Sequence, residues 1–415
     1  MKRFWMPMAA ALTLLSACAQ QPQRGQAQQG HAQQEQARPE QTDGMATLID
    51  TQLRFAAQQY QVLARDTPAD VMPRNFNQGK LVTSNTQWWT SGFFPGTLWQ
   101  IYEYTRDPVI LAEAQRRLAI LEKEQHHDGD HDIGFMIYNS FGNAYRITGE
   151  ARYKAVIDTA AQTATHRYKP AMKAIQSWNR SNNFEQPVII DNLMNLELLL
   201  WDAQNGGDAK LREIAINHAD TTLRNHFRPD FSSYHVVDYD PQTGEVKRKL
   251  TAQGASADSA WSRGQAWGLY GYTMLYRFTK DPRYLAQANG IASFILSHPN
   301  LPADKIPYWD FNAPEIPNAL RDASAGAIIA SALLELGQYA QGAERARYVD
   351  AATTMLRSLS APPYRAALGE NGGFLLQHSV GSLPHKSEID VPLTYADYYF
   401  VEGLLRYRRW YLPKA

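Results

Sequence analysis

"EYTRDPVILAEA", residues 103–114, closes one helical pattern and opens another, and its form returns as "RITGEARYKAV" at 146–156 and "RFTKDPRYLAQA" at 277–288. Each copy sets a Thr and a charged or Gly-containing break between a helix tail and an Arg/Tyr-bearing helix start. Looser versions stand at "WDAQNGGDAKLREIA" (201–215) and "GQYAQGAERARYVDAA" (337–352). On either side of such breaks, apolar residues recur at three- and four-residue steps. Examples are "ATLIDTQLRFAAQQYQVLARD" (46–66), "VILAEAQRRLAILEKEQ" (109–125) and "DNLMNLELLLWDAQ" (191–204). Thr105, Thr148 and Thr279 lie many tens of residues apart, the length of a helical hairpin plus loops. The pattern is a helical repeat with irregular insertions, hence an all-α class.

About six such hairpins fit residues 45–415, and they can close into a toroid of two concentric helix rings or run as an open solenoid. Polar-aromatic segments favour the toroid, because they fall at hairpin junctions and would converge on one funnel: "NTQWWTSGFFPGTLW", "HDIGFMIYNSFG", "WNRSNNFEQPVIIDNLMN", "AWSRGQAWGLYGY" and "YWDFNAP". One segment differs. "SSYHVVDYDPQTGEVKRKLTAQG" alternates around "PQTGE" and predicts a small β-hairpin inserted in the rim.

The chain has 415 residues with Lys+Arg and Asp+Glu both at 41, so no global charge favours nucleic acid or a polyanionic surface. Aromatic residues make up 11% and include ten Trp, which suits a large core and equally a cleft for the apolar faces of sugar rings. The single cysteine, Cys18, follows Lys2, Arg3 and a short apolar run ending in "LSAC". That run is far below the ~20 residues of a spanning helix and reads as a signal peptide over residues 1–17. Small residues before a Cys resemble the lipobox of bacterial lipoproteins, which implies lipidation of Cys18 and a periplasm-facing protein at the outer membrane. The anchor would be its only membrane contact. Residues 18–44 are Gln-rich without apolar periodicity and read as a disordered tether. Residues 45–415 read as the one folded domain.

"HHDGDHD", residues 126–132, packs three His and three Asp into seven positions. Asp128, Asp130 and Asp132 alternate like a calcium loop, but the required Gly and Glu positions hold Ile133 and Asn139. Adjacent His126 and His127 diverge, which spoils a zinc reading. A polar loop entering an apolar helix remains, with Asp132 at the boundary. Asp191 occupies a similar place, after "QPVII" and before an apolar helix, with Asn195 one turn on. It could simply cap the helix. Desolvation at such a mouth would also raise its proton affinity, as a general acid requires. Two carboxylates in one cleft are the minimum for hydrolysing a sugar linkage.

Together "HDIGFM", "DNLMN", "SAWSRGQAWGLYG" and "YADYYFVEGLLR" resemble the unsaturated glucuronyl hydrolases, glycoside hydrolase family 88, over residues 50–410. The resemblance implies an (α/α)6 barrel that removes 4,5-unsaturated glucuronate from the non-reducing end of lyase-generated oligosaccharides, such as glycosaminoglycan disaccharides. It puts the two essential aspartates on Asp132 and Asp191, and substrate contacts on Trp178, His235, Thr251, Gln253, Arg263 and Trp267. Asp128, Asp130 and the histidines are then solvated neighbours. The implied reaction hydrates an enol ether. Asp191 gives a proton to C4 and takes one from water attacking C5, while Asp132 orients the sugar and steadies developing positive charge. No metal or redox cofactor is called for. Arg263 and Trp267, four apart, share a helix face where stacking and hydrogen bonding suit a planar uronate. A hydrolase for rhamnogalacturonan or ulvan fragments, and an inactive lipid-anchored glycan-binding protein, are the competing readings.

Overall fold

Thr105, Thr148 and Thr279 each do two jobs at a helix end. Their hydroxyls donate to Ile101, Ala144 and Leu275 carbonyls at 2.9, 2.8 and 2.7 Å. They also accept from the backbone N–H of Asp107, Glu150 and Asp281 at 3.3, 3.2 and 3.2 Å. The residue between, Arg106, Gly149 or Lys280, takes positive φ and ends the helix. Asp107 and Asp281 then cap the next helix, accepting from Val109 and Arg283 N–H at 2.8 and 2.9 Å, with Pro at its first position. The recurring stretch is a reversal device.

The computed structural model describes Met1, residues 25–181 and residues 183–413; Cys18 and the expected signal peptide beyond Met1 lie outside the described residues. The chain divides into two units, Met1–Met45 and Ala46–Ala415. Helix α1 is Gly25–Asp66. Its backbone is helical from residue 25, over a stretch dominated by Ala, Gln, Glu and Arg, which are good helix formers.

The helices continue as α2 (Phe93–Thr105), α3 (Pro108–Leu121), a π-helix (Gly134–Gly142) running into α4 (Asn143–Thr148), α5 (Ala151–Ala164), α6 (Asn192–Gln204) and α7 (Ala209–Asn225). They end with α8 (Ser262–Thr279), α9 (Pro282–Ser297), α10 (Ala323–Leu336), α11 (Gly342–Leu359) and α12 (Thr394–Tyr411). Among them α2, the π-helix, α6, α8, α10 and α12 pack in sequence and α12 returns to α2, so the inner ring is closed. Helices α3, α5, α7, α9 and α11 back this ring from outside. On the sixth outer position, Tyr60 of α1 donates to buried Asp397 of α12 at 3.1 Å. This is an (α/α)6 barrel, and the open solenoid is excluded.

Inner helices are apolar because neighbours cover them on every side; all of α10 is buried. Outer helices keep one wet face. The inserted hairpin appears as β6 (Val236–Tyr239) and β7 (Val246–Leu250), turned by Asp240, whose carboxylate accepts from Gln242 and Thr243 N–H. It gains a third strand, β5 (Gln186–Ile189), ahead of α6. Three smaller two-stranded pairs complete the sheets: β1 (Met72–Asn77) with β2 (Lys80–Ser84), β3 (Tyr168–Lys169) with β4 (Ala174–Ile175), and β8 (Ser379–Ser382) with β9 (Ser387–Val391).

Candidate active site

All five polar-aromatic segments lead into or open inner helices at their N-terminal ends, which alternate topology gathers at one mouth of the barrel. Asp132 precedes the π-helix and Asp191 precedes α6. The β5–β6 pairing sets His235 beside Asp191: Ile190 N–H donates to His235 carbonyl at 3.1 Å. Below them, Ser177 Oγ accepts from Ile189 N–H at 2.9 Å and donates to Asn192 Oδ1 at 2.8 Å, which pins the entry of α6.

Asp132 is held from three directions. Asp130 Oδ1 accepts its N–H at 2.9 Å, Asn195 Nδ2 reaches its Oδ1 at 3.4 Å, and His131 Nε2 lies 3.3 Å from the same oxygen. Asn195 also accepts from Phe135 N–H at 2.8 Å, so one residue of α6 fixes both the carboxylate and the first π-turn. A Cβ on Gly134 would stand 2.7 Å from Asn195 Cα, so this approach needs glycine. Burial raises the Asp132 carboxyl well above its usual range, and the Asp130 charge adds to it.

The surrounding loop departs from expectation. Asp128 and His126 are exposed as predicted, but His131 is buried and His127 half-buried. His127 pairs with Asp130 at 3.3 Å, and that contact raises the imidazole. Burial pushes Asp130 upward, but His127 and the Asp132 N–H outweigh it and hold its carboxyl low. Asp130 and two of the three histidines are therefore supports of Asp132 rather than solvated neighbours. The loop folds inward because His131 binds Ser177, 46 residues away, through backbone N–H and ring.

Asp191 stands at the α6 N-cap position, yet its side chain makes no capping bond, so the simple capping role fails. The residue is 8% exposed and its Oδ2 has no hydrogen-bond partner among the described residues. Burial raises its carboxyl to about 6, against the opposing charges of His131 and Arg263 and with help from Asp132. His235 Nδ1 accepts from Ala252 and Gln253 N–H at 3.0 and 3.1 Å, so its Nε2 carries the hydrogen. That nitrogen faces Asp191 Oδ2 at 3.8 Å. Burial keeps the His235 ring neutral, well below its usual value.

Two of the expected substrate contacts lie deep in the mouth. Arg263 is 1% exposed; its two terminal nitrogens donate to Asp322 at 3.2 Å and to the Val380 and Gly381 carbonyls, while its Nε–H has no partner among the described residues. It anchors β8 under the site and acts on Asp191 through its charge. Trp267 is fully buried between Phe135 and Tyr399, with ring centroids at 5.1 and 5.5 Å. The half-buried ring above Phe135 is instead Trp89, 5.6 Å away and 4.9 Å from Tyr395. Spacing of four correctly put Arg263 and Trp267 on one face but could not tell depth.

The remaining positions lie on the rim. Trp178 is half-buried, edge-on to Phe184 at 5.3 Å. Thr251 Oγ1 accepts from Gly254 N–H at 2.8 Å, and Gln253 Nε2 donates to Gly381 carbonyl at 3.1 Å, tying two rim loops together. Arg74 of β1 joins Glu388 of β9 at 2.7 Å and covers Trp88 at 4.1 Å, an arrangement no local pattern announced. Among the described residues no group of three or more His, Cys, Asp or Glu side chains is placed to hold a metal ion. At the far mouth, a cavity of 350 Å³ is lined by Tyr138, Trp201, Trp410 and the paired Glu197 and Arg277, remote from both aspartates in the barrel.

The model for Glycosyl Hydrolase Family 88 matches residues 65–399. An unsaturated glucuronyl hydrolase of Formosa agariphila is 48% identical over 320 residues, 77% of this chain and 79% of that protein. An unsaturated chondroitin disaccharide hydrolase of Streptococcus agalactiae is 35% identical over 347 residues, 82% of this chain and 86% of its own length. Among solved structures, an unsaturated glucuronyl hydrolase specific for heparin superposes with a TM-score of 0.85 at 44% identity, covering 88% of this chain and 97% of that one.

Proposed function

The chain belongs to glycoside hydrolase family 88, and on that premise we propose how its mouth removes 4,5-unsaturated glucuronate from the non-reducing end of lyase-generated glycosaminoglycan disaccharides. Relatives named for glucuronyl and chondroitin disaccharide substrates support the substrate class. The reaction is hydration of the C4=C5 enol ether. Asp191 delivers a proton to C4, positive charge develops at C5 and the ring oxygen, and water adds at C5 while returning a proton to Asp191. The hemiketal so formed opens and releases the partner sugar.

One observation carries these roles. Asp191 keeps a buried oxygen, unpaired among the described residues, on a carboxyl whose proton affinity is raised to about 6, whereas Asp132 is held by Asn195 and, through its backbone N–H, by Asp130. The free oxygen suits proton transfer and the pinned one suits fixed electrostatic support. Half-buried Trp89 and Trp178 offer ring faces to the sugars. "LSAC" and the Gln-rich segment after it support tethering through Cys18 at the periplasmic face of the outer membrane.

The test incubates purified protein with unsaturated chondroitin and heparin disaccharides and follows the ultraviolet absorbance of the conjugated double bond. Loss of absorbance with release of the partner amino sugar is expected. Absorbance unchanged across both sets would leave the protein as a glycan binder.

A further inference from the structure

His131 is buried and its two ring nitrogens meet unlike partners. Nδ1 lies 3.0 Å from the Ser177 carbonyl, which can only accept, so Nδ1 carries a hydrogen. In the neutral ring Nε2 is then a lone pair, and it stands 3.3 Å from Asp132 Oδ1 with no hydrogen bond formed to any of the described residues. A lone pair against an ionised carboxylate at that distance, in a dry site, repels. One proton between them removes the conflict.

We propose that His131 and Asp132 share a single proton and that His131 is the positioning residue that sets the charge on Asp132 during turnover. The inference rests on the reaction proposed above. In the free protein the proton sits on Asp132, whose O–H faces Nε2. As positive charge grows at C5 and the ring oxygen, the Asp132 O–H bond breaks and an Nε2–H bond forms. The carboxylate then faces the sugar and the imidazolium faces the interior, with no change in net charge. When water has added and the ring charge is gone, the proton returns. Asp191 handles the protons at C4 and from water, so the two acid groups divide the work.

The charged groups around the pair pull both ways, which keeps the proton movable between them. On the same loop, Asp130 faces both residues and His127 neutralises it. Asp191, at the mouth of α6, acts on His131, and so does Arg167, which follows α5. Burial lowers the imidazole and raises the Asp132 carboxyl, and both directions favour the resting proton on oxygen.

His131→Asn tests this, since its amide can still donate to Ser177 carbonyl but offers no basic nitrogen. The expected result is kcat lower by at least about 100-fold, the low end for a positioned proton acceptor, with KM little changed and a pH profile displaced from wild type. Normal kcat and an unchanged profile in a folded His131→Asn protein would overturn the inference while leaving the hydrolase reading intact. Should that variant not fold, nitrogen NMR of the wild-type protein decides. Protonated Nδ1 with unprotonated Nε2 at neutral pH is expected, and the opposite tautomer would overturn it. Absence of activity in the wild type would instead strike the underlying reading.

Discussion

Asp191 holds its proton more tightly in the folded protein than in the unfolded chain, because burial lifts it from its ordinary value of 3.8 to about 6. Folded-state affinity above the unfolded value adds stability below about pH 4 that is lost as pH rises through the folded value. The same proton is the one that must reach C4, so kcat/KM should fall as pH rises through about 6 on the limb set by this group. Asp191→Asn separates the two consequences. The amide keeps the neutral shape, so the variant should gain stability at pH 8, on the order of 3 kcal/mol, while turnover drops by at least about 10²-fold. Urea unfolding at pH 5 and pH 8 beside initial rates reads both, and a variant that is active and pH-insensitive would contradict the assignment. The position of both aspartates at the entry of inner helices was legible from their place between polar loop and apolar helix. The inward turn of His131 was not, because its partner, Ser177, is distant in sequence.

The π-helix Gly134–Gly142 is the element on which the site turns. Its wider turns bring Phe135 N–H and the preceding Asp132 together onto Asn195 of α6. Nine residues are too few for apolar spacing to separate a π-helix from an α-helix, so the sequence predicted only a helix there. Gly134→Ala would drive a methyl against Asn195 Cα and Oδ1, both 2.7 Å from the Cβ position. Overpacking of that kind costs about 1–3 kcal/mol, and the Asp132–Asn195 contact should open with it. A thermal melt with a kcat at least about tenfold down is expected; normal kcat would show that the approach is not needed for chemistry. The β6–β7 hairpin was legible in its alternation and turn. Its third strand, β5, was not, since pairing across tens of residues leaves no local trace.

At the scale of the molecule, closure of the inner ring turns five scattered segments into one mouth, and this followed from where the repeated turns fall. Depth within the ring did not follow, so neither the full burial of Trp267 nor the half-buried place of Trp89 was anticipated. The anchor is a separate matter. If Cys18 is lipidated, expression with labelled fatty acid should mark the wild type and not Cys18→Ser, and a labelled Cys18→Ser protein would refute it.

The central claim is that water adds to the enol ether rather than to the anomeric carbon. Turnover of an unsaturated disaccharide in deuterated water, followed by NMR from the earliest times, tests it most directly. The account predicts that the C4 vinylic signal disappears in step with release of the partner sugar, with one deuterium on a single face of C4. Early accumulation of free unsaturated uronate, its C4–H and double bond intact, would contradict it.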